Sequence, residues 1–395
     1  MSRTSMRGVA FEPRENVRAA LLGCGGRGRW MMNELQTAGG IITAVYDISA
    51  KAANKAADEI EKKGQQRPRV IVGDDLTDVF SEPLDLALVA SPWDWHVPHA
   101  VAAMEAGVHA AVEVPAAVTM EECWQLVETS ERTRKHCVIL ENCCYGYEEL
   151  MMLNMAQAGA FGTLTHGEAA YIHDLRSLLL ADSSEGLWRR EPHKLTDGNF
   201  YPTHGLGPIA RCMGINEDDR FEKLVSMSSL EASLTEYRDK NVPSKAGEFF
   251  VAGDINTSLI RTKKGRTIVL WHDVVTPRPY SRGTLIQGTK GAFRDFPAGV
   301  FLDGQEDHAW KPLDDFKAEW EHPLWAEQGE RARTSGGHGG MDFILCWRLL
   351  ECMQKGLPPD IDVYDAAAWS APTALSIESV KNGSAPVAFP DFLPC

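Results

Sequence analysis

The chain lacks any apolar run long enough to cross a membrane, because no stretch approaches the roughly 18 residues that a transmembrane helix needs. Residues 1–18 also contain no apolar segment of the kind that signal peptides carry. The sequence therefore predicts a protein without a membrane anchor that is placed in the cytoplasm. A leader removed beforehand would instead place the protein in the periplasm or outside the cell.

Basic residues are scarce, with 40 lysines and arginines against 55 aspartates and glutamates and a net charge of −15. An acidic surface of this kind disfavours nucleic acids and anionic membranes as partners. The nine cysteines include no C-x-x-C pair, which favours buried thiols in a reducing compartment. We interpret the adjacent Cys143 and Cys144 as core-facing residues. No internal repeat or low-complexity tract is present.

The chain does contain a glycine-rich turn, which lies between a predicted strand and a predicted helix. A short apolar strand from Val17 to Leu22 leads into Gly23, Gly25 and Gly28, which are spaced as G-x-G-x-x-G and are followed by a helical stretch. Gly23 permits the tight turn, Gly25 lets a pyrophosphate approach the backbone, and Gly28 lets helix and strand pack closely. The helix N-terminus presents free N–H groups to the phosphates. The pattern predicts a bound dinucleotide.

An acid completes this pattern. The next apolar segment, residues 41–47, ends in Asp47, which lies about 20 residues beyond Gly28, as expected for an acid on the adenosine ribose. A carboxylate at this place repels the 2′-phosphate of NADP. The residues therefore favour NAD as the cofactor, while Arg27 inside the turn leaves that preference open.

Strand and helix patterns alternate through the first third of the chain. Helical segments at 49–63, 97–106 and 119–136 separate apolar runs at 69–72, 84–90, 109–112 and 137–140. Thr119 and Glu122 have the spacing of a capping box at the start of the last helix. The alternation predicts an α/β fold, with an N-terminal Rossmann domain built on a parallel sheet over residues 1–140.

The remainder, residues 141–395, has a different pattern. Consecutive strand-like segments with few helices between them lie at 165–172, 223–230, 254–262, 266–274, 285–289 and 299–302. They predict a C-terminal α+β domain built on a largely antiparallel sheet. Closing helices are predicted within 341–383, the second of them with a start signal at Asp362 and a stop signal at Asn382 and Gly383.

Three blocks together resemble the Gfo/Idh/MocA family of sugar-handling, nicotinamide-dependent proteins. They are the glycine-rich turn, the triplet Glu113-Val114-Pro115, and the run at 85–92 with the histidine-containing segment at 95–109. The resemblance covers essentially the whole chain. It implies a Rossmann domain followed by an open-faced α/β sheet domain.

Two departures narrow the resemblance. Most dehydrogenases of the family have Glu-Lys-Pro where this chain has Val114, and they usually carry an aspartate where this chain has Phe200, four residues before His204. Glu-Val-Pro and the block Tyr201-Pro-Thr-His-Gly-Leu-Gly-Pro208 together resemble glycoside hydrolase family 109, the NAD-dependent α-N-acetylgalactosaminidases. Further matching pieces are Trp93-Asp-Trp-His96, Glu141-Asn142, Trp188-Arg189, Pro277-Arg-Pro-Tyr280-Ser-Arg282 and Gly336-Gly-His-Gly-Gly-Met-Asp342.

The resemblance implies a route that differs from the two-carboxylate mechanism of ordinary glycosidases. NAD⁺ takes a hydride from C3 of the sugar, and the ketone so formed acidifies the proton on C2. A base removes that proton, the aglycone leaves C1 by elimination, water adds, and NADH returns the hydride. The cofactor is regenerated in each turnover, so the resemblance implies tightly bound, recycled NAD.

The resemblance also implies roles for individual residues. The catalytic candidates are His204, whose imidazole titrates near working pH, and Tyr171, a poor base unless a cation or bound NAD⁺ lowers its pKa. The substrate-binding candidates are Tyr171, Arg189, Tyr201, Pro202, Thr203, His204 and Tyr280. The cofactor-binding candidates are Gly23, Gly25, Gly26, Arg27, Gly28, Asp47, Trp93, Trp95, His96, Glu113, Val114, Asn142 and Tyr201.

Plainer alternatives stand beside these roles. His204 and Tyr171 are packed side chains in the alternative interpretation, and Arg189 is a surface ion pair. His96 and His99 are three residues apart, but no acidic or cysteine partner completes a metal site, so none is predicted. His338, in the glycine-rich stretch 336–340, is a further candidate that a mobile loop would bring to the site.

Three functions remain open at this point. The first is the glycosidase, acting on a glycan or glycoside with terminal N-acetylgalactosamine. The second is a net NAD-dependent oxidoreductase of a sugar or cyclitol, and the third is a dinucleotide-binding sensor without catalysis. Tyr201 to Pro208 and the missing lysine at Val114 favour the first over the second, and His204 argues against the third. We also expect a homo-oligomer formed through the open sheet face.

Overall fold

The computed structural model describes residues 3–394, and their contacts form two compact units. The first unit comprises residues 3–146, 324–368 and 392–394, and the second comprises residues 147–323 and 369–391. The chain thus leaves the first unit after Gly146 and returns to it at Leu324. The predicted division, with a single boundary at residue 140, does not include this return. No helix within residues 3–394 has both the length and the apolar character of a membrane span.

The first unit is built on a six-stranded parallel sheet. Its strand order is β3-β2-β1-β4-β5-β6, as in a doubly wound fold. β1 lies in the middle, and its residues Ala19 to Leu22 are buried, as expected for a strand covered on both faces. The strands are β1 Arg18–Leu22, β2 Ile41–Asp47, β3 Arg69–Val72, β4 Leu86–Val89, β5 His109–Val112 and β6 Cys137–Ile139. This sheet confirms the predicted Rossmann domain.

Helices cover this sheet and begin where local capping signals place them. Thr119 and Glu122 form the predicted capping box, because each side chain accepts a hydrogen bond from the other residue's backbone N–H. The helices lying wholly or mainly in this unit are α1 Gly26–Ala38, α2 Ala50–Lys62, α3 His96–Glu105, α4 Met120–Thr133, α11 Pro323–Ser335, α12 Met341–Lys355 and α13 Val363–Ser370. α12 packs against α1, which explains why this part of the chain belongs to the first unit.

The second unit is built on an eight-stranded sheet. Its strand order is β13-β12-β11-β7-β10-β9-β8-β14. All paired strands are antiparallel except β7 and β10, which run parallel with Tyr171 beside His272. The strands are β7 Leu164–Ile172, β8 Phe221–Ser228, β9 Asn256–Thr262, β10 Thr267–Asp273, β11 Leu285–Gly288, β12 Gly291–Arg294, β13 Gly299–Leu302 and β14 Val387–Ala388. The largely antiparallel sheet is therefore confirmed; β12 and β14 were not predicted.

One face of this sheet carries helices and the other is open. Buried and exposed residues alternate along β9, with Thr257, Leu259 and Arg261 on the exposed side. On the covered side, α8 contacts β7 and α14 contacts β8. The helices of this unit are α5 Tyr147–Gln157, α6 Arg176–Leu179, α7 Gly186–Leu195, α8 Thr203–Cys212, α9 Ser233–Asn241, α10 Lys317–Trp320 and α14 Pro372–Lys381.

The predicted helix that ends before Asn382 is divided in two. Asp362 does cap its start, because its Oδ1 accepts hydrogen bonds from the backbone N–H groups of Tyr364 at 2.9 Å and Asp365 at 3.2 Å. The helix nevertheless stops at Ser370, and a new one begins at Pro372, where proline is favoured in the first turn. The predicted stop is confirmed, with Gly383 at φ +70°.

A glycine fixes the approach of α8 to β7. A Cβ added to Gly205 would lie 2.4 Å from the backbone nitrogen of Ala170, a distance that no side chain tolerates. Only glycine therefore lets the first turn of α8 rest on the strand. As a result His204, on that first turn, lies next to Tyr171 at the end of β7.

Candidate active site

The glycine-rich turn in the first unit has the geometry that a dinucleotide requires. Gly23 has φ +95°, and a Cβ on Gly28 would lie 2.0 Å from the carbonyl oxygen of Gly23. By contrast, no atom lies within 4 Å of a Cβ built on Gly25 or Gly26. The turn is therefore closed where strand and helix pack and open at the N-terminus of α1, where a pyrophosphate binds.

Asp47 braces this turn from the end of β2. Its Oδ2 accepts a hydrogen bond from the backbone N–H of Cys24 at 2.7 Å, and its Oδ1 accepts one from Ser49 at 2.8 Å. The carboxylate therefore fixes the loop that carries Gly25. Its assignment to the adenosine ribose remains a prediction.

Arg27 is held inside the first unit by two carboxylates. Its Nε donates to Oε1 of Glu113 at 2.8 Å, and its two terminal nitrogens donate to the two oxygens of Asp342 at 3.1 Å each. Burial raises the pKa of Glu113, the Arg27 charge opposes that shift, and the charge of Asp342 adds to it. The one arginine thus serves two acids.

The segment after β4 is fastened to the segment after β5. Nε1 of Trp93 donates to the carbonyl oxygen of Val114 at 3.3 Å, and both ring nitrogens of His96 lie 2.8 Å from carbonyl oxygens, those of Ser91 and Pro115. Trp93 and His96 are buried, whereas Trp95 is 55% exposed. Of the predicted cofactor residues in this segment, Trp95 is the one whose ring faces solvent.

His99 and His96 make different contacts and do not face one common metal ligand position. It is buried, its ring centroid lies 5.7 Å from that of Trp95, and desolvation followed by the charge of His96 lowers its pKa to about 4. Both ring nitrogens of His96 are engaged by carbonyl oxygens. The pair therefore packs and braces the loop.

Asn142, the predicted cofactor residue after β6, leads to a residue that the sequence analysis did not single out. Its Nδ2 donates to Oδ1 of Asp342 at 2.7 Å, and Asp342 is completely buried. Asp342 stands at the end of the run Gly336 to Asp342, where His338 was the only candidate. The glycines of that run predict a tight turn in which the backbone packs closely against its neighbours. They were the only sequence feature that could have drawn attention to Asp342.

His338 lies at the surface of the same cluster. Its Nδ1 is 2.6 Å from Oδ2 of Asp342, and its side chain is 60% exposed. Burial acts to raise the pKa of Asp342, but the hydrogen bond from His338 and the charge and hydrogen bonds of Arg27 outweigh it, so that pKa is lowered. The carboxylate is therefore ionised.

The described cysteines are consistent with buried thiols. The eight cysteines among residues 3–394 form no disulfide bond, and Cys143 and Cys144 are both buried. The interpretation of these two as core-facing residues is confirmed.

Four predicted site residues meet in the second unit as one aromatic cluster. The ring of Tyr171 lies 4.4 Å from that of Tyr201, 5.5 Å from that of His204 and 6.3 Å from that of Tyr280. Tyr201 and His204 are 4.9 Å apart with their rings perpendicular. The strand end, the loop before α8 and the loop after β10 thus bring residues distant in sequence to one place.

A histidine that the sequence analysis missed contacts the hydroxyl of Tyr171. Nδ1 of His173 lies 3.1 Å from that oxygen, and the two rings are perpendicular at 5.8 Å. The ring of His173 also lies 5.2 Å from that of Tyr280. The spacing Tyr171-Ile-His173 was the signal, because residues two apart on a strand point to the same side.

Arg189 adds a positive charge to the cluster. Its guanidinium lies 5.0 Å from the centre of the Tyr201 ring, and its Nε lies 2.9 Å from a carboxylate oxygen of Glu185. Arg189 therefore lies beside the cluster and also forms an ion pair, while its binding of substrate stays a prediction. The ion pair orients the guanidinium over the tyrosine.

The start of α8 supplies the remaining predicted residues. Pro202 and Thr203 are buried, and Oγ1 of Thr203 has no hydrogen-bond partner among residues 3–394. A buried hydroxyl without a partner is uncommon and calls for an explanation such as a bound ligand. Tyr201, just before the helix, is held by a hydrogen bond from its N–H to Oδ1 of Asn199 at 3.0 Å.

Phe200 occupies the place where related dehydrogenases carry an acid. Its ring packs at 4.8 Å from that of His193 and 5.6 Å from that of His272. Burial, followed by the charge of Arg189, lowers the pKa of His193 to about 4. Burial also lowers the pKa of His272. The apolar ring of Phe200 therefore packs against the uncharged imidazoles of His193 and His272. His272 in turn lies beside Tyr171 in the sheet.

A buried ion pair supports Tyr280. Arg282 pairs with Glu149, and its Nη1 donates to the hydroxyl of Tyr280 at 3.2 Å. Arg282 also lies 3.7 Å from Asp295, whose pKa is raised to about 7 by burial and then by the charge of Glu149, against the opposing charge of Arg282. Tyr280, a predicted substrate-binding residue, is thus held in place by Arg282, which belongs to the same sequence block, residues 277–282.

Family models account for nearly all of the chain. Residues 145–394 match the model described as the C-terminal domain of glycosyl hydrolase 109, and residues 17–141 match the NAD-binding Rossmann fold of an oxidoreductase family. The first unit is accordingly an NAD-binding Rossmann domain, and NAD is the cofactor.

Solved structures of low sequence identity share the fold. A levoglucosan dehydrogenase in complex with NADH and levoglucosan is 18% identical, with a TM-score of 0.75 over 95% of this chain and 100% of the other. An inositol dehydrogenase homologue from Azotobacter vinelandii, complexed with NAD⁺, is 16% identical, with a TM-score of 0.69 over 96% and 99%. These likenesses show that the chain shares the α/β fold of these structures.

Curated relatives narrow the assignment. A glycosyl hydrolase family 109 protein of Solibacter usitatus is 51% identical over 99% of this chain and 91% of its own length. A protein of the same description from Saccharopolyspora erythraea is 47% identical over 98% of this chain and 86% of its own length. With these relatives and the matching C-terminal model, the chain belongs to glycosyl hydrolase family 109.

Proposed function

We propose that this protein is a glycosidase that removes terminal α-N-acetylgalactosamine by transient, NAD-dependent oxidation of the sugar. The observation that carries the proposal is the cluster of Tyr171, Arg189, Tyr201, His204 and Tyr280 in one chain with an NAD-binding domain. Family membership and Val114 in place of the dehydrogenases' lysine support it further.

The fit of the cofactor rests on the open backbone at Gly25 and Gly26. When bound, NAD⁺ accepts a hydride from C3 of the sugar and returns it at the end of the cycle, so no net redox change occurs. Asp47, Trp95 and Asn142 are the side chains that we propose to hold it, together with the backbone of the glycine-rich turn.

His204 handles the proton of the C3 hydroxyl in this proposal. As the hydroxyl becomes a ketone, its O–H proton passes to a ring nitrogen of His204, and it returns from there when the ketone is reduced. An imidazole suits both directions because its unperturbed pKa lies near neutrality. The perpendicular rings of Tyr171 and Tyr201 hold this histidine in place.

Tyr171 takes the proton from C2. The bonds that break are C2–H and the bond from C1 to the aglycone oxygen, and a double bond forms between C1 and C2. The proton moves to the oxygen of Tyr171, whose own proton has passed to Nδ1 of His173, 3.1 Å away, and the departing aglycone oxygen takes a proton from solvent. Water then adds its oxygen to C1 and releases one proton to solvent. The proton on Tyr171 exchanges with solvent while the unsaturated intermediate exists, Tyr171 delivers a proton to C2, and His173 returns its proton to Tyr171. A tyrosine alone is a poor base, and in this proposal His173 makes Tyr171 a better one by accepting its proton.

Arg189 and the tyrosines bind the sugar. The guanidinium of Arg189 offers a fork of donors suited to the acetamide carbonyl or to paired hydroxyls. The unpartnered hydroxyl of Thr203 is a second group for a polar substituent. Tyr201 and Tyr280 provide flat surfaces beside the ring.

A net oxidoreductase of a sugar or cyclitol is the second candidate. The observation that favours it is the shared fold of solved dehydrogenases, with His204 in place. Phe200 and Val114 weigh against it, because they stand where most dehydrogenases of the family that the sequence resembles carry an acid and a lysine.

One assay separates the candidates. The purified protein is incubated with p-nitrophenyl α-N-acetylgalactosaminide without added cofactor, and nitrophenol is measured together with absorbance at the NADH wavelength. The proposal predicts nitrophenol without accumulating NADH, and loss of nitrophenol release in His204→Ala. NADH formed in step with substrate loss, without nitrophenol, would establish the second candidate instead. Comparison with the α-galactoside tests the acetamide contact of Arg189.

We further propose that the partners of the chain are such glycosides and a second copy of itself. The open side of β9 exposes Leu259, and Met227 on the neighbouring β8 is 64% exposed. An apolar strip of this kind on a sheet fits a homo-oligomeric contact. Light scattering of wild type and Leu259→Glu tests it, with dissociation expected for the variant.

A further inference from the structure

The first unit contains a buried carboxylate to which no role has been assigned. Asp342 is the second residue of α12 and is completely buried. An ionised carboxylate is costly to bury unless hydrogen bonds and charges compensate it. The surroundings of Asp342 therefore indicate what it does.

Five hydrogen bonds from four side chains converge on Asp342. Oδ2 accepts from Arg27 at 3.1 Å, Trp30 at 3.0 Å and His338 at 2.6 Å, if that imidazole carries its proton on Nδ1. Oδ1 accepts from Arg27 at 3.1 Å and Asn142 at 2.7 Å. Its place in the first turn of α12 adds the favourable field of a helix N-terminus. The carboxylate is thus a fully satisfied anchor.

The donors belong to the elements that form the cofactor site. Arg27 is the second residue of α1, whose N-terminus faces the pyrophosphate, and Trp30 lies one turn further on. Asn142 follows β6, and Arg27 in turn holds Glu113, which follows β5. Asp342 therefore links three predicted cofactor residues through direct or shared bonds.

The backbone around Asp342 is shaped for this contact. A Cβ on Gly337 would lie 3.0 Å from both Cβ of Asp342 and Nε1 of Trp30. Gly340, just before α12, has φ +102°. The glycine-rich run thus lets the chain turn tightly enough to bring α12 against α1.

We infer that Asp342 is a positioning residue of the NAD site, which fixes the start of α1 and the amide of Asn142 in the arrangement that retains the dinucleotide. The inference requires NAD binding alone and is independent of the reaction proposed for the second unit. It also accounts for the position of Arg27, a predicted cofactor residue whose single charge is shared between Glu113 and Asp342.

The test follows release of NAD from the purified holoenzyme. Asp342→Asn keeps the shape of the side chain but removes the charge, and it leaves an amide facing the donors of Arg27, Trp30 and Asn142. We expect the dinucleotide to dissociate about 10- to 100-fold faster, the range seen when a group that orients a ligand in a site is removed. The holoenzyme is dialysed for timed intervals, and the NAD released into the dialysate is measured enzymatically.

Asp85→Asn is the matched control. Asp85 is also buried and paired with arginines, with Nε of Arg14 at 3.1 Å and Nε of Arg18 at 3.3 Å, but it lies before β4, at the opposite edge of the sheet. This variant should lower the unfolding temperature without changing NAD release. A purely structural role of Asp342 predicts the same behaviour for both variants.

Trp30→Phe keeps the test decisive if Asp342→Asn does not fold. It removes one donor from a side chain that is 43% exposed and leaves the carboxylate in place. We expect release several-fold faster than wild type. Unchanged release in folded Asp342→Asn, or in Trp30→Phe where the former does not fold, would overturn the inference.

Discussion

The hydroxyl of Tyr171 lies 3.1 Å from Nδ1 of His173, which follows it by two residues at the end of β7. This contact gives the tyrosine a group that accepts its proton, which an isolated phenol with a pKa near 10 lacks. It also places a titratable ring on the edge of the aromatic cluster that holds His204.

The first prediction concerns His173. His173→Leu removes the proton acceptor and should lower kcat by about 100- to 10,000-fold, the usual contribution of a general base. KM should change little, because the ring contacts of Tyr171 with Tyr201 remain. His173→Asn, which retains a polar group, should preserve KM and recover at most a small part of kcat. Steady-state kinetics with the nitrophenyl glycoside provides the measurement, and a leucine variant with wild-type kcat would assign His173 to packing.

The second prediction concerns His204. His204→Ala should reduce kcat by about 100- to 10,000-fold while the purified protein still contains NAD, because the histidine acts on the sugar hydroxyl. His166→Ala is the matched control, since His166 lies on β7, the strand that α8 contacts, and its Nδ1 is 2.8 Å from Oγ1 of Thr267. Equal loss in both variants would point to a general effect on the sheet.

The third prediction separates two glycines of the turn. Gly25→Ala should leave the unfolding temperature of the NAD-free protein unchanged, because no atom outside the neighbouring residues lies within 4 Å of the added Cβ. It should nevertheless weaken NAD binding strongly, since that space receives the pyrophosphate. Gly28→Ala should destabilise the protein itself, because its Cβ would lie 2.0 Å from the oxygen of Gly23. Thermal unfolding and NAD content measure the two effects. Normal NAD content in Gly25→Ala would contradict the assigned position of the pyrophosphate.

The fourth prediction concerns pH and Asp295. Its pKa is raised to about 7, so between about pH 4 and 7 the folded state holds a proton that the unfolded state has released. The contribution of this carboxyl to the free energy of unfolding therefore falls as pH rises through that window. Asp295→Asn does not titrate, so its stability relative to wild type should increase between pH 5 and pH 8, by up to about 1.4 kcal/mol per pKa unit.

Thermal or urea unfolding at the two pH values measures this difference. Asp303→Asn, at an exposed position beyond β13, is the control and should show no trend. A stability difference for Asp295→Asn that is constant from pH 5 to pH 8 would mean that Asp295 is ionised throughout.

Local signals explain what was predictable from the sequence. The glycine-rich turn and the capping box of Thr119 depend on residues within a few positions of one another, and both are found as expected. The cluster around Tyr171 and His204 came from a family motif, since spacing alone does not show that Gly205 seats α8 on β7.

Contacts between distant residues explain what was missed. Asp342 meets Arg27 across 315 positions, and no local pattern reveals such a pair. The return of α12 to the first unit was missed for the same reason, since it depends on contacts between α12 and the distant α1. The apolar face of an amphipathic helix does not show against which element it packs. Pro372 does mark the break between α13 and α14, but the apolar pattern continues across it.

Deuterium at C2 of the released sugar tests the central claim most directly. Hydrolysis is run in D₂O with wild type and with Tyr171→Phe, and the product is analysed by NMR. The account predicts deuterium at C2 with the wild-type protein, because that bond breaks before the aglycone leaves, and little turnover or exchange with Tyr171→Phe. Product released by the wild-type protein with hydrogen retained at C2 would contradict the account, since direct displacement at C1 never breaks that bond.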